Sequence, residues 1–264
     1  MGVKKNKWLY GLIITISVVS TSSLFVMCSN SQKENDSEIN TSSSNNNELL
    51  ENNNKEEILE DELESKVESE ENDIEVDESL LMLVNKENLL DSSYVPENLV
   101  LSEIEFLSYI ETRNLTKETA EAAKAMFDAA KEDGITLLGA SGYRSYDIQV
   151  NLFNSRAADV GEEAAAMYTA PPGASEHQTG LALDILGEDY QYMDEDFDKS
   201  ESFKWLIENS YKYGFILRFL KGKEDITGYG YEPWHFRYIG NSEIAKEIMD
   251  RGITLEEYLL ENEE

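Results

Sequence analysis

The chain of 264 residues contains only two histidines, one cysteine and four prolines. A single cysteine cannot form an internal disulfide, and it excludes a closed structural metal site built from several thiolates. Basic residues are also few, with 22 Lys and Arg against 54 Asp and Glu. Because nucleic acids select basic surfaces, this balance argues against a nucleic-acid-binding protein.

The first 28 residues combine three lysines with a long uncharged run, WLYGLIITISVVSTSSLFVMC. A positive flank before an apolar segment is typical of an export signal or a membrane anchor, and about 20 apolar residues can span a bilayer. The run ends at Cys28 in LFVMCSN, which resembles a bacterial lipobox except that Met27 replaces the usual small residue. We interpret residues 1–28 as a signal or membrane-anchor segment with Cys28 as the lipidation site; an uncleaved anchor helix is the alternative. Both place the rest of the chain on the outer face of the cytoplasmic membrane.

Residues 29–79 consist mainly of Ser, Asn and Glu, with no aromatic residue and few apolar ones. Such a composition cannot bury enough apolar surface to offset the loss of chain entropy on folding. We interpret the segment as a disordered acidic tether, with a solvated charged helix around residues 56–70 as the alternative. A random coil of this length spans roughly 40 Å, and repulsion between like charges extends it further. The tether would let a folded domain work at a distance from the membrane.

An ordered domain is expected over residues 80–264. Apolar residues at helical spacing predict a helix from Thr116 to about Asp133, and further patterns predict helices at 146–160 and 202–213 and two short C-terminal helices. Short apolar runs predict strands within ITLLGASGYRS, LALDIL, FILRF and WHFRYI. Because these elements do not follow a βαβ order, we expect a single α+β domain in which a small, mostly antiparallel sheet is flanked by helices.

The two histidines lie in short stretches that hold other polar side chains: His177 in SEHQTGLALD and His235 in YEPWHFRYIG. Asp184 stands inside the apolar run LALDIL, where a carboxylate needs a partner or a metal to offset the cost of burial. Imidazole nitrogens and carboxylate oxygens are both good zinc ligands, and three protein ligands leave a fourth position open, as in catalytic sites. Each residue alone is more simply explained by packing or by a turn. The three together predict a site for one zinc ion.

Glu232 stands three residues before His235, and Pro233 stiffens the connection between them. A carboxylate near a metal-bound water can accept its proton and later deliver that proton to the leaving amine. The helical His-Glu-x-x-His zinc motif uses the same chemistry on a different local geometry. Glu232 is therefore the candidate general base.

These stretches resemble the zinc D-alanyl-D-alanine carboxypeptidases of the vancomycin-resistance VanY type, including their L,D-carboxypeptidase relatives. SGYRSYDIQ, APPGASEHQTG, GFILRF and ITGYGYEPWHFRYIG occur in the family's order, and the similarity covers residues 80–258. The resemblance implies a hedgehog/D,D-peptidase-like domain with the zinc site on its sheet. It also implies that His177, Asp184 and His235 bind the zinc and that Glu232 is the catalytic base.

The resemblance implies substrate contacts as well. Arg144 in SGYRS would contact the substrate and stabilise its developing oxyanion or its carboxylate, which suits a planar guanidinium; a surface ion pair is the alternative. Gln149 and Ser175 match polar positions that line the substrate pocket, and Arg218 matches an arginine of the family. The chain departs from the family at Phe219-Leu220, where a Tyr-Pro pair is common. Any contact of that tyrosine hydroxyl is absent here, which bears on substrate preference.

The sequence thus predicts a tethered zinc carboxypeptidase that removes the terminal D-alanine from peptidoglycan stem peptides, of either the D,D or the L,D type. A zinc-bound water, deprotonated by Glu232, would attack the scissile carbonyl, while zinc and Arg144 stabilise the oxyanion. The alternatives are a peptidoglycan endopeptidase with the same zinc site and a catalytically silent wall-binding module. The expected partners are stem peptides and the membrane, not nucleic acid, and we expect a monomer.

Overall fold

A computed structural model of the protein describes residues 77–262. Its strands are β1 (Leu99–Leu101), β2 (Asn114–Thr116), β3 (Leu137–Ser141), β4 (Ala182–Gly187), β5 (Phe215–Leu217) and β6 (His235–Tyr238). Its α-helices are α1 (Lys117–Glu132), α2 (Tyr146–Val160), α3 (Glu162–Ala165), α4 (Glu201–Asn209), α5 (Glu224–Thr227), α6 (Ser242–Arg251) and α7 (Leu255–Glu261). Short 3-10 helices cover Glu78–Leu81, Glu176–Thr179, Glu195–Lys199 and Ser210–Tyr213.

The predicted signal or anchor segment, including Cys28, lies outside the described residues, and so does the predicted tether up to residue 76. Residues 77–79, which the sequence assigned to the tether, begin the 3-10 helix Glu78–Leu81, whose first turn is capped by the side chain of Asp77. Between residues 77 and 262, the structure holds no helix with the length and apolar character needed to cross a membrane.

Helix α1 confirms the strongest helical pattern of the sequence. The side chain of Thr116 accepts a hydrogen bond from the backbone of Thr119, which caps the helix N-terminus. The helix ends at Asp133, and Gly134 follows with φ +82°, a conformation that costs glycine little. Its buried stripe packs into the core through Ala123, Met126, Phe127 and Ala130.

The other predicted helices are present with small differences. Helix α2 covers the predicted range 146–160, and α7 starts with the capping box between Thr254 and Glu257. The predicted helix at 202–213 is divided into α4 and the 3-10 helix Ser210–Tyr213, which ends at Gly214 with φ +75°. The antiparallel pair β1–β2 was not predicted, because strands of three residues carry too little alternation to be recognised.

The main sheet has the strand order β3-β4-β6-β5, and every neighbouring pair is antiparallel. This architecture, with helices packed around a small antiparallel sheet, confirms the predicted α+β fold. Asp184 on the inner strand β4 pairs with Ser141 on one side and with His235 on the other. A register irregularity in β3 between Gly139 and Ser141 precedes this row. Three polar residues, distant in sequence, are thereby aligned across three strands.

The two faces of this sheet differ in chemistry because side chains alternate along a strand. Leu183 and Ile185 of β4, with Phe236 of β6, are fully buried in the main core. Each such side chain contributes about 1.5–3 kcal/mol of hydrophobic stabilisation. Asp184 lies between Leu183 and Ile185, and its strand partner His235 precedes Phe236, so both polar side chains point to the opposite face. The core thus fixes the strand register, and the register carries the polar residues to one place.

The C-terminal helices form a second core at the β5 edge of the sheet. Ile216 of β5 packs there with Ile248 of α6 and Leu255 of α7. Leu81 and Leu83, from the N-terminal segment, pack against the same cluster. Both ends of the described chain are therefore held next to the strands that carry the polar face.

Candidate active site

The structure brings His177, Asp184 and His235 together, as the sequence predicted for a metal site. His177 comes from the 3-10 helix Glu176–Thr179, Asp184 from β4 and His235 from β6. One ligand atom from each residue lies within 4.8 Å of those from the other two, and all three side chains are buried.

Backbone contacts orient the ring of His177. Its Nδ1 lies 2.8 Å from the carbonyl oxygen of Gly142. A carbonyl oxygen only accepts, so Nδ1 carries the proton and Nε2 has a free lone pair. Nε2 lies 3.3 Å from Oδ1 of Asp184 and makes no hydrogen bond within the described residues. A Cβ at position 142 would lie 2.5 Å from the carbonyl oxygen of Asn114, so only glycine allows this close backbone approach.

The ring of His235 is placed between two carboxylates. Its Nδ1 lies 3.1 Å from Oδ1 of Asp184, and its Nε2 lies 3.3 Å from Oε2 of Glu176. Nε2 of His177 and Nδ1 of His235 therefore approach the same oxygen of Asp184 from two directions.

This donor set fits a zinc ion. Ligands about 2.0–2.1 Å from a tetrahedral zinc are roughly 3.3 Å from one another, close to the separations seen here. A buried imidazole nitrogen without a hydrogen-bond partner is costly, and a metal would satisfy the Nε2 of His177. An imidazole that binds a metal through one nitrogen usually donates the other N–H to a carbonyl or a carboxylate. The carbonyl of Gly142 and the carboxylate of Glu176 are in position to accept these hydrogen bonds from His177 and His235.

The protonation of these groups follows from burial and from their mutual charges. Burial and the positive charge of Arg144 lower the pKa of His177 to about 4, so this ring is neutral at pH 7. Burial by itself would raise the pKa of Asp184, but interactions with both histidines hold it below the usual range. Burial also opposes a charge on His235, yet its hydrogen bonds to Asp184 and Glu176 raise its pKa to about 9.

Glu232 lies beside this cluster, in the turn that leads into β6. Its Oε2 is 3.9 Å from Nδ1 of His235. The turn is held by the backbone N–H of Glu232, which donates to the carbonyl of Phe219, and by that of His235, which donates to the carbonyl of Glu232. Burial raises the pKa of Glu232 to about 8; His235 opposes this rise and the negative charge of Asp184 adds to it. Its carboxyl group is therefore poised to exchange a proton near neutral pH.

Arg144 lies on the same side of the cluster and is held at several atoms. Its Nη1 donates to Oγ of Ser141 at 2.9 Å and approaches Oδ2 of Asp184 at 3.5 Å. Its Nε donates to Oε1 of Gln149 at 3.1 Å, and Nε2 of Gln149 donates to the carbonyl of Ala170 at 2.7 Å. Its backbone N–H donates to the carbonyl of His177. The guanidinium is thus fixed beside the candidate metal ligands.

A cleft of about 630 Å³ runs past these groups. Asp184, His177, Glu232 and Arg144 all border it. Its outer walls are largely apolar and include Ile110, Ile148, Leu152, Tyr168, Met193 and Trp234. A small inner pocket of about 30 Å³ lies beside the cluster and is bordered by Ser175, Phe219 and Tyr229. Ser175 therefore lies beside the cluster but does not border the larger cleft.

Gln149 and Arg218, which the sequence predicted as substrate contacts, do not border the cleft. Gln149 is buried and borders neither the cleft nor the inner pocket, because its amide is used to hold Arg144. Arg218 is completely buried and borders neither cavity. It donates to Glu176 at 2.8 Å and to both oxygens of Glu256 at 2.7 Å. Glu176, which is buried, and Glu256, which is partly buried, hold the guanidinium away from the cleft. The local motif GFILRF does not show this.

Glu176 is the site residue that sequence reasoning missed, although it stands between Ser175 and His177. It is buried, and it contacts His235 as well as two arginines. Burial would raise the pKa of Glu176, but the charges of Arg218 and Arg237 hold it well below the usual range. A charged residue next to a candidate metal ligand was the available signal.

The chain is similar to known carboxypeptidases. Residues 112–241 match the VanY family, described as D-alanyl-D-alanine carboxypeptidase. YodJ of Bacillus subtilis (strain 168), whose name describes it as a carboxypeptidase, is 48% identical over 184 residues. That alignment covers 69% of this chain and 67% of YodJ.

Solved structures show the same relationship. The L,D-carboxypeptidase LdcB, studied for peptidoglycan recognition, is 48% identical with a TM-score of 0.64, over 69% of this chain and 86% of that one. A variant of the vancomycin-resistance D,D-pentapeptidase VanY in complex with Zn(II) is 37% identical with a TM-score of 0.57, over 68% of this chain and 98% of that one. The fold and these likenesses define a peptidase domain. The chain belongs to the VanY D-alanyl-D-alanine carboxypeptidase family.

Proposed function

We propose that the protein is a zinc-dependent carboxypeptidase that removes the terminal D-alanine from peptidoglycan stem peptides. The observation that carries this proposal is the approach of Nε2 of His177 and Nδ1 of His235 to one oxygen of Asp184, at 3.3 and 3.1 Å. Glu232 and Arg144 border the same cleft. The names of the relatives, which include a D,D-pentapeptidase, an L,D-carboxypeptidase and a Zn(II) complex, support both the reaction and the metal.

His177, Asp184 and His235 would hold one zinc ion, each through a single atom. When bound, zinc supplies a Lewis acid that polarises a carbonyl and makes water acidic enough to be deprotonated near neutral pH. The remaining chemistry depends on side chains of this chain.

Glu232 would act as the general base and then as the general acid. Its carboxylate accepts a proton from the attacking water and delivers it to the nitrogen of the leaving D-alanine, so the side chain is regenerated in each cycle. Its place beside the cleft, 3.9 Å from His235, is compatible with both steps. A wall-binding module would have no use for a carboxylate with a raised pKa at this point.

Arg144 would bind the oxygen atoms of the substrate. Within the described residues its hydrogen bonds engage Nε and Nη1, which leaves Nη2 for a substrate carboxylate or for the oxyanion that forms during attack. Because Ser141 and Gln149 already fix the guanidinium, little side-chain entropy is lost when the substrate binds. The apolar walls of the cleft would hold the peptide and limit access of bulk water.

The cellular setting follows from the same proposal. A segment that anchors the chain to the membrane, followed by the acidic tether, would place the domain among stem peptides outside the cytoplasmic membrane. We propose that it works there as a monomer.

Defined peptides test the function directly. The full chain, loaded with zinc, is incubated with a tetrapeptide and a pentapeptide that end in D-alanine, and with the C-terminal amide of each. Mass spectrometry should show loss of one alanine from a free acid and no loss from its amide. The peptide that reacts assigns L,D or D,D specificity. Cleavage of an internal peptide bond in the amidated peptides would instead identify an endopeptidase. If none of the peptides were cleaved, the proposal would be refuted.

A further inference from the structure

Glu176 is the centre of a buried charge network that the proposed reaction does not use directly. Its Oε1 accepts hydrogen bonds from Nε of Arg218 at 2.8 Å and from Nη1 of Arg237 at 2.7 Å. Both arginines are completely buried. Burying three charged groups is costly, so a network of this kind is weak support for stability alone.

The second carboxylate oxygen has a different neighbour. Oε2 of Glu176 lies 3.3 Å from Nε2 of His235. Because Oε1 is occupied by two guanidinium donors, Oε2 is the oxygen left to accept a hydrogen bond from the N–H of the imidazole. The two oxygens of this carboxylate therefore have different partners: Oε1 binds the two arginines, and Oε2 binds the histidine.

Further contacts prevent this carboxylate from turning. The other two nitrogens of Arg218 donate to the two oxygens of Glu256 on α7, each at 2.7 Å. Nη2 of Arg237 donates to the carbonyl oxygens of Leu80 and Met82, at 2.8 and 2.9 Å. Glu176 is thus fixed from the C-terminal helix and from the N-terminal segment.

We propose that Glu176 is a positioning residue for the metal centre, acting through His235. Its Oε2 accepts a hydrogen bond from the N–H at Nε2, so that when the ring gives up a proton to bind a metal, Nε2 keeps its proton and Nδ1 loses one. The ring is held in the tautomer that can bind zinc, and Arg218 and Arg237 hold Glu176 in place for this purpose. The inference rests on the proposed function only in taking zinc as the metal.

The tautomer can be observed without any substitution. The chain has only two histidines, so labelling them with ¹⁵N gives four ring-nitrogen signals. In the zinc-loaded full chain, Nε2 of His235 should carry a proton and Nδ1 should show the shift of a metal-bound nitrogen. His177 should show the opposite arrangement. A protonated Nδ1 on His235 would overturn the proposal.

The variant Glu176→Gln tests the role of the carboxylate. The amide oxygen can still accept from the two arginines, which forces the NH₂ group to face Nε2 of His235. Two donors cannot share that position, so the ring must move its proton to Nδ1 and lose its metal-binding lone pair. We expect zinc affinity, measured by chelator competition, to fall about 10–100-fold.

Glu256→Gln is the matched control. It removes a negative charge from the same Arg218 but does not contact His235. A purely structural network predicts equal losses of zinc affinity for the two variants, and that result would overturn the proposal. We expect Glu256→Gln to lower thermal stability and to keep zinc affinity. If Glu176→Gln does not fold, the ring-nitrogen shifts of the wild-type chain decide the question.

These readouts separate the inference from the proposed function. A wild-type chain that cleaves peptides but shows the reversed tautomer would refute the inference alone. A chain that binds zinc through the expected tautomer and cleaves no peptide would refute the proposed function alone.

Discussion

Nε of Arg144 donates a hydrogen bond to Oε1 of Gln149 at 3.1 Å, while the amide nitrogen of Gln149 donates to the carbonyl of Ala170. Gln149 is completely buried, so no water can replace it as a partner. The orientation of the guanidinium in the cleft therefore depends on a residue that does not itself border the cleft.

Substituting Gln149 tests this dependence. Gln149→Met keeps the length of the side chain and removes both hydrogen bonds, so kcat/KM on defined peptides should fall about tenfold, or about 1.4 kcal/mol in transition-state stabilisation. Zinc content should not change. Arg144→Lys, which loses the planar fork, should also lower turnover and spare zinc. The loss of kcat/KM in the double variant, as a free energy, should be smaller than the sum of the two single losses, because both substitutions disturb one interaction. A loss equal to that sum would show that Gln149 acts independently of Arg144.

Proton transfer and metal binding should separate at Glu232 and His235. Glu232→Gln keeps the size of the side chain but cannot accept a proton at neutral pH, so kcat should fall about 10²–10⁴-fold. The variant should still fold and bind zinc, which metal analysis can show. His235→Ala should lose zinc and activity together. If Glu232→Gln retained near-wild-type turnover, another residue would be the base; if it lost zinc, Glu232 would be a ligand.

Metal content should depend on His177. Wild-type chain purified without chelator should contain one zinc ion, and His177→Ala should release it. Asp194→Asn is the control, because Asp194 borders the same cleft and lies outside the cluster of candidate ligands. A folded wild-type chain without zinc would contradict the assignment, and so would equal loss of zinc in the two variants.

The backbone at Gly142 should matter for the metal as well as for the fold. Gly142→Ala must move the backbone just after β3, because its Cβ would lie 2.5 Å from the carbonyl oxygen of Asn114, and the carbonyl that orients His177 moves with it. Thermal unfolding should show a loss of about 1–3 kcal/mol, and zinc affinity should fall about tenfold. Gly187→Ala, whose Cβ would meet Oγ of Ser202 at 1.9 Å, should lower stability and leave zinc affinity unchanged. Equal zinc affinity in both alanine variants would argue that Gly142 has a structural role only.

Membrane attachment should depend on Cys28. If this residue carries the lipid, Cys28→Ser should abolish labelling by a radioactive or clickable fatty acid and should block removal of the first 27 residues. N-terminal sequencing and lipid labelling check both effects. An unlabelled wild-type protein that keeps its N-terminus would instead indicate the uncleaved anchor helix.

Local features of the domain could be derived from the sequence because local interactions produce them. The apolar spacing from Ala123 to Ala130 and the cap at Thr116 are sufficient to predict α1. The same holds for the capping box at Thr254. The set of candidate metal ligands could also be named, because a chain with two histidines offers few combinations.

Only the tertiary structure decided which side chains work together. Asp184 and His235 are 51 residues apart and become neighbours through the pairing of β4 with β6. The same packing turns Arg218 toward Glu176 and away from the cleft. Strand register and the partners of buried charges are set by contacts between distant segments, and a motif of five or ten residues contains no information about them. For that reason the residue types that form the site could be predicted from the sequence, whereas the contacts of each side chain depend on the fold.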